Sequence, residues 1–520
     1  MNYSNLFLYA NIGKIIKYAS TEKLFYIFAE SKSRPHKMNV KAISVNIGKA
    51  LLINALFMFI SVVISVINGF DSAFTPLFIS FLVTLITGCF PFIFVKDKPE
   101  TSVKSGYLTI VISWLLSFVF GMLPYVLWGG EFTLTNAWFE SVSGYTTTGS
   151  TILNDIEALP KSLLFWRSST HFIGGLGVIV FLLMVIPDTS PFKLKLTHLE
   201  LSSLSKEGYK YNSGTTARIM IMVYIGLAAA ETLCLWAAGM SLFDAVNHAF
   251  STVATGGFST RNTSIMYYDS TMIDIIITVF MTLSSIHFGI LYAVIIRRSF
   301  KSLNNSVTRY YIGVIAAISI IIALNLKTQG GYDSWGSAFM DSIFQTTSFI
   351  STTGFGQADN SKWPLLANAL LMFAAIHCGC SGSTTGGIKA DRMYISSKAI
   401  WSDLHKKLHP SSLFRTRIGG RVIDEETTSS VFLYIVLYVF VVFISFVIVL
   451  ICGVDISDAF TGTLASLGNV GPGMGALGTM GNYSSLPAVV KFIFTLDMFL
   501  GRVEIFPVLI VISMITTRQK

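Results

Sequence analysis

The chain has 520 residues, of which 52% are hydrophobic and 12% charged, with a net charge of +9 at pH 7. Soluble domains carry about 25% charged residues, so a string of soluble domains is excluded and a membrane protein is implied. There is no Walker A sequence and no complete dinucleotide fingerprint following a strand. The five cysteines (Cys89, Cys234, Cys378, Cys380 and Cys452) offer neither paired zinc-ligand spacing nor a disulfide framework.

In chain order, residues 1–44 are basic and mixed and read as a cytoplasmic tail. Apolar runs of membrane length follow near 45–66, 74–95, 108–128, 171–187, 218–240, 272–296, 310–326, 364–400, 430–453 and 489–514. With a cytoplasmic N-terminus and alternating spans, the inner segments carry 30 of the 37 Lys and Arg residues. The positive-inside rule is satisfied by that margin. Inner-loop lysines facing anionic lipid account for the charge without nucleic acid, and both termini are expected in the cytoplasm. Of the 28 carboxylates, 16 lie outside the inner segments, which predicts an acidic outer vestibule that concentrates cations.

Four outer connections each contain an apolar stretch too short to cross, followed by glycine. The first runs from Asn136 through Tyr145-Thr146-Thr147-Thr148-Gly149. The second runs from Asp244 through Ala254-Thr255-Gly256, the third from Asp341 through Thr352-Thr353-Gly354, and the fourth from Asp458 through Asn469-Val470-Gly471. Recurrence of one pattern four times marks an internal repeat. Asn136, Asp244, Asp341 and Asp458 are good N-caps and are expected to open four short re-entrant helices. Each helix directs its negative C-terminal end at the membrane centre, which favours a cation. The glycine then lets successive carbonyls turn toward a common axis, as in filters whose carbonyls replace an ion's hydration shell. The prediction is an all-α polytopic membrane protein, with four pseudo-symmetric helix–pore-loop–helix repeats around one ion pore and two extra N-terminal transmembrane helices. The expected divisions are a tail (1–44), two extra helices (45–104) and repeats at 105–216, 217–309, 310–426 and 427–520.

These four loops, together with Cys380-Ser-Gly-Ser-Thr-Thr-Gly-Gly-Ile-Lys389 and Leu500-Gly-Arg-Val-Glu-Ile-Phe506, resemble the TrkH/KtrB superfamily of potassium transporters, in its longer TrkH branch. The resemblance runs from about residue 40 to the end. It implies that potassium is coordinated by carbonyls of Thr147, Thr148 and Gly149, of Ala254, Thr255 and Gly256, of Thr352, Thr353 and Gly354, and of Asn469, Val470 and Gly471. Gly149 at the first filter position goes with potassium over sodium, and a single main glycine per loop implies looser selection than in tetrameric channels. The resemblance further implies an inner-membrane homodimer docked on a cytosolic TrkA-type ring that binds nucleotides, with no cofactor in this chain and no enzymatic activity.

The span near 364–400 is interrupted by residues 378–387, which include Gly379, Gly382, Gly386 and Gly387. Two readings stand: a small-residue packing seam between helices, or a loop that gates the conduction path, which the resemblance supports. A loop below the filter is expected to govern rate and not ion preference. Arg502 lies mid-span, where an unpaired cation costs roughly 2.5–3.5 kcal/mol or more. Its neighbours Asp497 and Glu504 are poorly phased to pair with it, so it reads as a gate partner, with a structural pairing as the alternative. His171, His287 and His377 have no i, i+3 or i+4 partner histidine, which argues for hydrogen bonding over metal or haem. Glu231 reads equally as a packing hydrogen-bonder or a proton or ion site. A secondary transporter for an organic solute is a rival class, but such proteins usually carry two inverted repeats; a sodium- or proton-coupled transporter of potassium or another monovalent cation stands as the alternative to a channel.

Overall fold

The computed structural model describes residues 39–95, 103–185, 213–329, 331–409, 415–419 and 421–517. The tail expected at 1–44 therefore lies, up to residue 38, outside the described residues. The described chain is helical apart from loops and a two-stranded antiparallel ribbon, β1 (Arg417–Ile418) and β2 (Arg421–Val422).

Two helices precede the repeats: α1 (Val40–Ile67) and α2 (Phe74–Phe94). They cross closely because both are glycine where they meet. A Cβ at Gly48 would stand 2.7 Å from the Gly88 carbonyl oxygen, a close approach that small residues permit between membrane helices. The next helix, α3 (Val103–Gly121), continues into the short α4 (Leu123–Trp128).

Four units of the same plan follow. The first is α3/α4, a pore helix α5 (Leu134–Tyr145) and an inner helix α6 (Lys161–Val185). The second is α7 (Ser213–Ala237), pore helix α8 (Leu242–Val253) and an inner pair, α9 (Thr271–Ser284) and α10 (Phe288–Ile295). The third is α11 (Ser306–Gln329), pore helix α12 (Trp335–Ile350) and an interrupted inner helix, α13 (Leu365–His377) and α14 (Ala390–Leu408). The fourth is α15 (Glu425–Ile451), pore helix α16 (Ile456–Gly468) and an inner pair, α17 (Ala488–Val503) and α18 (Ile505–Thr517).

Among the described residues, six helices are long and apolar enough to cross a membrane, and two bent pairs raise the number to eight: α9–α10, bent by 110°, and α17–α18, bent by 103°. The span read near 364–400 is two helices around a break, and α13 has only 13 residues. Outward faces are apolar: Ile86, Phe90, Phe440 and Phe443 are all exposed, as lipid-facing side chains should be.

The packing is cyclic. Each pore helix contacts the inner helix of its own unit: α5 with α6, α8 with α9, α12 with α13, α16 with α17. It also contacts the inner helix of the preceding unit: α8 with α6, α12 with α9, α16 with α13, and α5 with α17. The last of these closes the fourth unit onto the first, so one chain completes a ring.

Candidate functional site

The pore helices begin three residues earlier than expected in three units. Thr133 accepts from the Asn136 N–H (3.3 Å), Ser241 from Asp244 N–H (3.1 Å) and Asp455 from Ser457 N–H (3.0 Å). In the third unit Ser334 accepts from Ser337 N–H (3.0 Å). Asn136, Asp244 and Asp458 are therefore third helical residues and not N-caps, and Asp341 lies a further turn inside α12. The reason is that a Ser, Thr or Asp upstream captures a free N–H of the first turn, and in the second unit the acidic residue at the third helical position answers it in the manner of a capping box. Ser241 Oγ accordingly donates to Asp244 Oδ2 at 2.9 Å.

The residues read as caps instead fasten loops. Asn136 Oδ1 accepts from Lys491 Nζ (3.0 Å), and Asp244 accepts from Thr260 Oγ1 (2.7 Å) and Arg261 Nη2 (3.1 Å). Asp341 accepts from Tyr332 Oη (2.7 Å).

All four pore helices end alike. Thr147 N–H donates to Gly144 O and Thr148 N–H to Ser143 O. The same pair of bonds recurs at Thr255 and Gly256, at Thr352 and Thr353, and at Asn469 and Val470. This is the Schellman closure, which requires a left-handed residue just past the helix. That residue is Thr147 (φ 51°), Thr255 (φ 57°), Thr352 (φ 56°) or Asn469 (φ 54°), never glycine. Non-glycine residues held there cost of order 1 kcal/mol or more each and cluster at functional sites.

Two residues later comes a glycine with positive φ: Gly149 (84°), Gly257 (81°), Gly354 (77°) and Gly471 (97°). In the second loop the equivalent glycine is thus Gly257, one position after the Gly256 expected from sequence. Ala254 becomes the residue that caps the helix, matching Thr146 and Ser351. With Gly257 in place, each glycine follows Asn136, Asp244, Asp341 or Asp458 by the same 13 positions.

These glycines interlock around a ring. A Cβ on Gly149 would stand 2.1 Å from the Gly256 carbonyl oxygen, and one on Gly257 would stand 2.0 Å from Thr353 O. On Gly354 it would stand 2.0 Å from Val470 O, and on Gly471, 2.6 Å from Thr148 O. Every loop thus lays its glycine against the carbonyl of the next, and the fourth returns to the first. The bare backbone is required by the approach as well as by φ. Thr146, Thr147, Thr148, Thr255, Thr353, Asn469 and Val470 are fully buried in this ring.

Nine positions before three of the glycines a polar side chain braces the loop from behind. Glu140 is paired with Arg167 (2.8 Å, side chains 0% and 1% exposed) and accepts from Thr151 Oγ1 and Ile152 N–H. His248 Nε2 lies 2.9 Å from Ser259 Oγ, and Gln345 Nε2 donates to Ala358 O at 2.9 Å. Arg167 also donates to Ser259 O (3.2 Å) and packs on the Phe258 ring (4.1 Å), tying loop one to loop two. The sequence reading passed over Glu140, Arg167, His248 and Gln345. The common offset of Glu140, His248 and Gln345 from the loop glycine becomes visible only with the second loop in register.

Outside the ring lies a cavity of about 310 Å³ lined by all four units, including Asn154, Asn262, Asp359 and Asn482. Between the lining residues Asn154 and Ile156 stands Asp155, held below the usual carboxylate range by its bond to the Asn262 side chain and by two backbone N–H groups. Asp359 is held low in the same way, first by the Ser361 hydroxyl. Both stay charged at neutral pH, which suits a cation entrance.

Inside the ring, residues 378–389 form the break between α13 and α14, with Gly382 (φ 77°) and Gly387 (φ 62°) left-handed. Gly379 and Gly386 allow close approach: a Cβ would stand 2.7 Å from Thr385 Cγ2 at Gly379 and 2.5 Å from Gly468 O at Gly386. Arg502, 4% exposed, is in the last turn of α17 beside the bend to α18. Its Nη1 donates to Thr384 O and its Nη2 to Gly174 O (3.1 Å). Lys389 Nζ donates to Thr385 O. The two carboxylates near Arg502 in sequence are used elsewhere: Glu504 pairs with Arg392 (2.8 Å), and Asp497 accepts from Ser445 Oγ (2.7 Å).

His171, His287 and His377 each have their own local partners. His171 stacks on Phe258 (4.1 Å), His287 caps α10 through Gly289 N–H (2.9 Å), and His377 lies 3.1 Å from Tyr310 Oη. Among the described residues no group of three or more His, Cys, Asp or Glu could hold a metal. Glu231 is fully buried on α7.

The chain matches the model of the TrkH family, described as cation transport protein, over residues 75–324 and 313–519. It is 34% identical over 383 residues to the Trk system potassium uptake protein TrkH of Escherichia coli K12, covering 73% of this chain and 79% of that one. Trk system potassium uptake protein TrkG of the same organism is also 34% identical, over 385 residues. The crystal structure of the potassium transporter TrkH from Vibrio parahaemolyticus superposes with a TM-score of 0.81 at 29% identity, covering 91% of this chain and 98% of that one. The chain belongs to the TrkH family of cation transport proteins, a family of membrane transporters and not of enzymes.

Proposed function

From that membership we propose that this chain takes up potassium across the inner membrane through the ring of four loops. The observation that carries the reading is the ring's closure: four glycines, each packed on the next loop's carbonyl. Such packing fixes where the carbonyls of Thr147, Thr148 and Gly149, of Thr255, Gly256 and Gly257, of Thr352, Thr353 and Gly354, and of Asn469, Val470 and Gly471 can lie. Carbonyls held in this way stand in for the hydration shell of a dehydrating cation, and four helix C-termini add negative potential at the same place. Names of the relatives supply the ion, potassium.

Below the filter the 378–387 loop acts as the gate, with Gly379, Gly382, Gly386 and Gly387 giving it freedom to move. Arg502 holds it and places a positive charge on the ion path. Residues 105–216, 217–309, 310–426 and 427–520 form the four repeats after two extra helices at 45–104. The protein works as a homodimer with both termini in the cytoplasm, docked on a TrkA-type cytosolic subunit.

Purified protein in liposomes tests the reading. A potassium gradient should drive potassium and rubidium flux well above that of empty vesicles, with sodium slower. No potassium flux above empty vesicles would overturn it. Flux that appears only with an added proton or sodium gradient would move it to an ion-coupled transporter.

A further inference from the structure

The 378–387 loop does not merely lie below the filter; it is bonded to its base. Gly386 N–H donates to Thr352 Oγ1 at 3.2 Å, and Thr352 is the left-handed residue that turns the third loop. Thr384 Oγ1 donates to Val253 O at 3.0 Å, the last carbonyl of pore helix α8, two residues before Thr255. Gly386 also lies against the fourth loop: a Cβ there would stand 2.5 Å from Gly468 O and 2.6 Å from Asn469 Oδ1. Three of the four loops are touched on their inner edge. All of these groups are buried.

We propose that Thr384 and Thr352 are specificity-determining residues: the loop is a structural member of the filter, and its position sets ion preference as well as rate. The proposal rests on the functional reading above and deepens it. Thr384 joins the two devices in one residue, since its carbonyl accepts from Arg502 and its hydroxyl donates to the second pore helix. Any displacement that clears the path breaks the bond to Val253 O and the bond from Gly386 N–H. The freed carbonyl and the freed Thr352 hydroxyl then face the ion path as additional oxygen ligands. A filter whose inner end gains mobile oxygens discriminates less by cavity size and ligand number. The conducting state therefore has a less selective inner site than the closed state, and variants that weaken the loop–filter bonds carry that looseness permanently. This reverses the division of labour expected from sequence, in which the loop governs rate alone.

The test is the ratio of potassium to sodium flux in liposomes for Thr384→Val, which keeps the shape and removes the donor, and Thr384→Ser, which restores it. Thr384→Val should lower the ratio by roughly threefold to tenfold, the scale of one hydrogen bond, and Thr384→Ser should return it to the wild-type value. A merely structural threonine changes the yield of folded protein or the rate, not the ratio. If Thr384→Val does not fold as a single species by gel filtration, the ratio is read from Thr352→Val, where the acceptor for Gly386 N–H is lost. A changed rate with an unchanged ratio in either folded valine variant overturns the proposal. A wild-type protein without potassium flux strikes the functional reading instead, so the two failures are distinguishable.

Discussion

At the scale of single residues, the second glycine loop shows what a ring decides and a linear pattern does not. Gly256 and Gly257 are adjacent, and either fits a loop motif ending in glycine. The two have different surroundings. Gly257 has φ 81° and its absent Cβ would meet the Thr353 backbone oxygen at 2.0 Å, whereas Gly256 has no positive φ and its Cβ would meet the His171 ring at 2.4 Å. A Cβ at Gly257 presses on backbone of the ring and cannot be housed without moving the third loop; a Cβ at Gly256 presses on the His171 ring, which is stacked on Phe258, and strains that side chain rather than a carbonyl of the ring. Gly257→Ala should therefore reduce potassium-to-sodium discrimination far more than Gly256→Ala when both are measured as flux ratios in liposomes. Equal effects would restore the register read from sequence. By the same geometry Gly149→Ser loses selectivity, since its Cβ would press on the Gly256 carbonyl at 2.1 Å and its φ of 84° is strained for any side chain. The threonine-rich loops and three of their four glycines were legible because polar residues beside membrane-length apolar runs have few other uses. The fourth was not, because the deciding contact comes from another loop almost a hundred residues away.

At the scale of elements, the existence of four short helices, one before each glycine loop, was legible from length alone. Their starts were not. Asn136, Asp244 and Asp458 are plausible caps, but Thr133, Ser241 and Asp455 precede them by three residues and take the free N–H groups. The bracing behind the helices was also hidden, because Glu140, His248 and Gln345 share a position without sharing chemistry. Of these braces the Glu140–Arg167 pair has the most at stake. Both side chains are removed from solvent, and removing one partner of such a pair leaves an uncompensated buried charge, at a cost of about 3–5 kcal/mol. Arg167→Ala should therefore lower the thermal unfolding temperature in detergent sharply, and the Glu140→Gln/Arg167→Met double variant should recover much of the loss. A single Arg167→Ala variant as stable as wild type would show that the pair contributes little to holding loops one and two together.

At the scale of the whole molecule, Arg502 joins units that the chain order keeps apart. Its own helix belongs to the fourth unit, Thr384 to the third and Gly174 to the first, and its guanidinium donates to carbonyls of both. Sequence showed that Arg502 lacked a same-helix partner and pointed to the 378–387 loop, but gave no sign of Gly174, inside a helix read only as a span. The arginine has two separable effects. Its fork fastens the loop to α6, and on the proposed reading its charge would oppose a cation passing along the ring's axis. Arg502→Ala removes both, so basal potassium flux per folded molecule should rise and dependence on any cytosolic regulator should weaken. Arg502→Lys keeps the charge but replaces the rigid fork with one flexible ammonium, which is poorly suited to hold both carbonyls at once. If the charge is the main barrier, the lysine variant stays as closed as wild type; if the fastening dominates, it leaks as the alanine variant does. The two hydrogen bonds across unit boundaries favour fastening, so an intermediate to alanine-like flux is expected for Arg502→Lys. The measurement is flux normalised to folded protein, and an Arg502→Ala variant that is well folded but slower than wild type would remove Arg502 from the gate altogether.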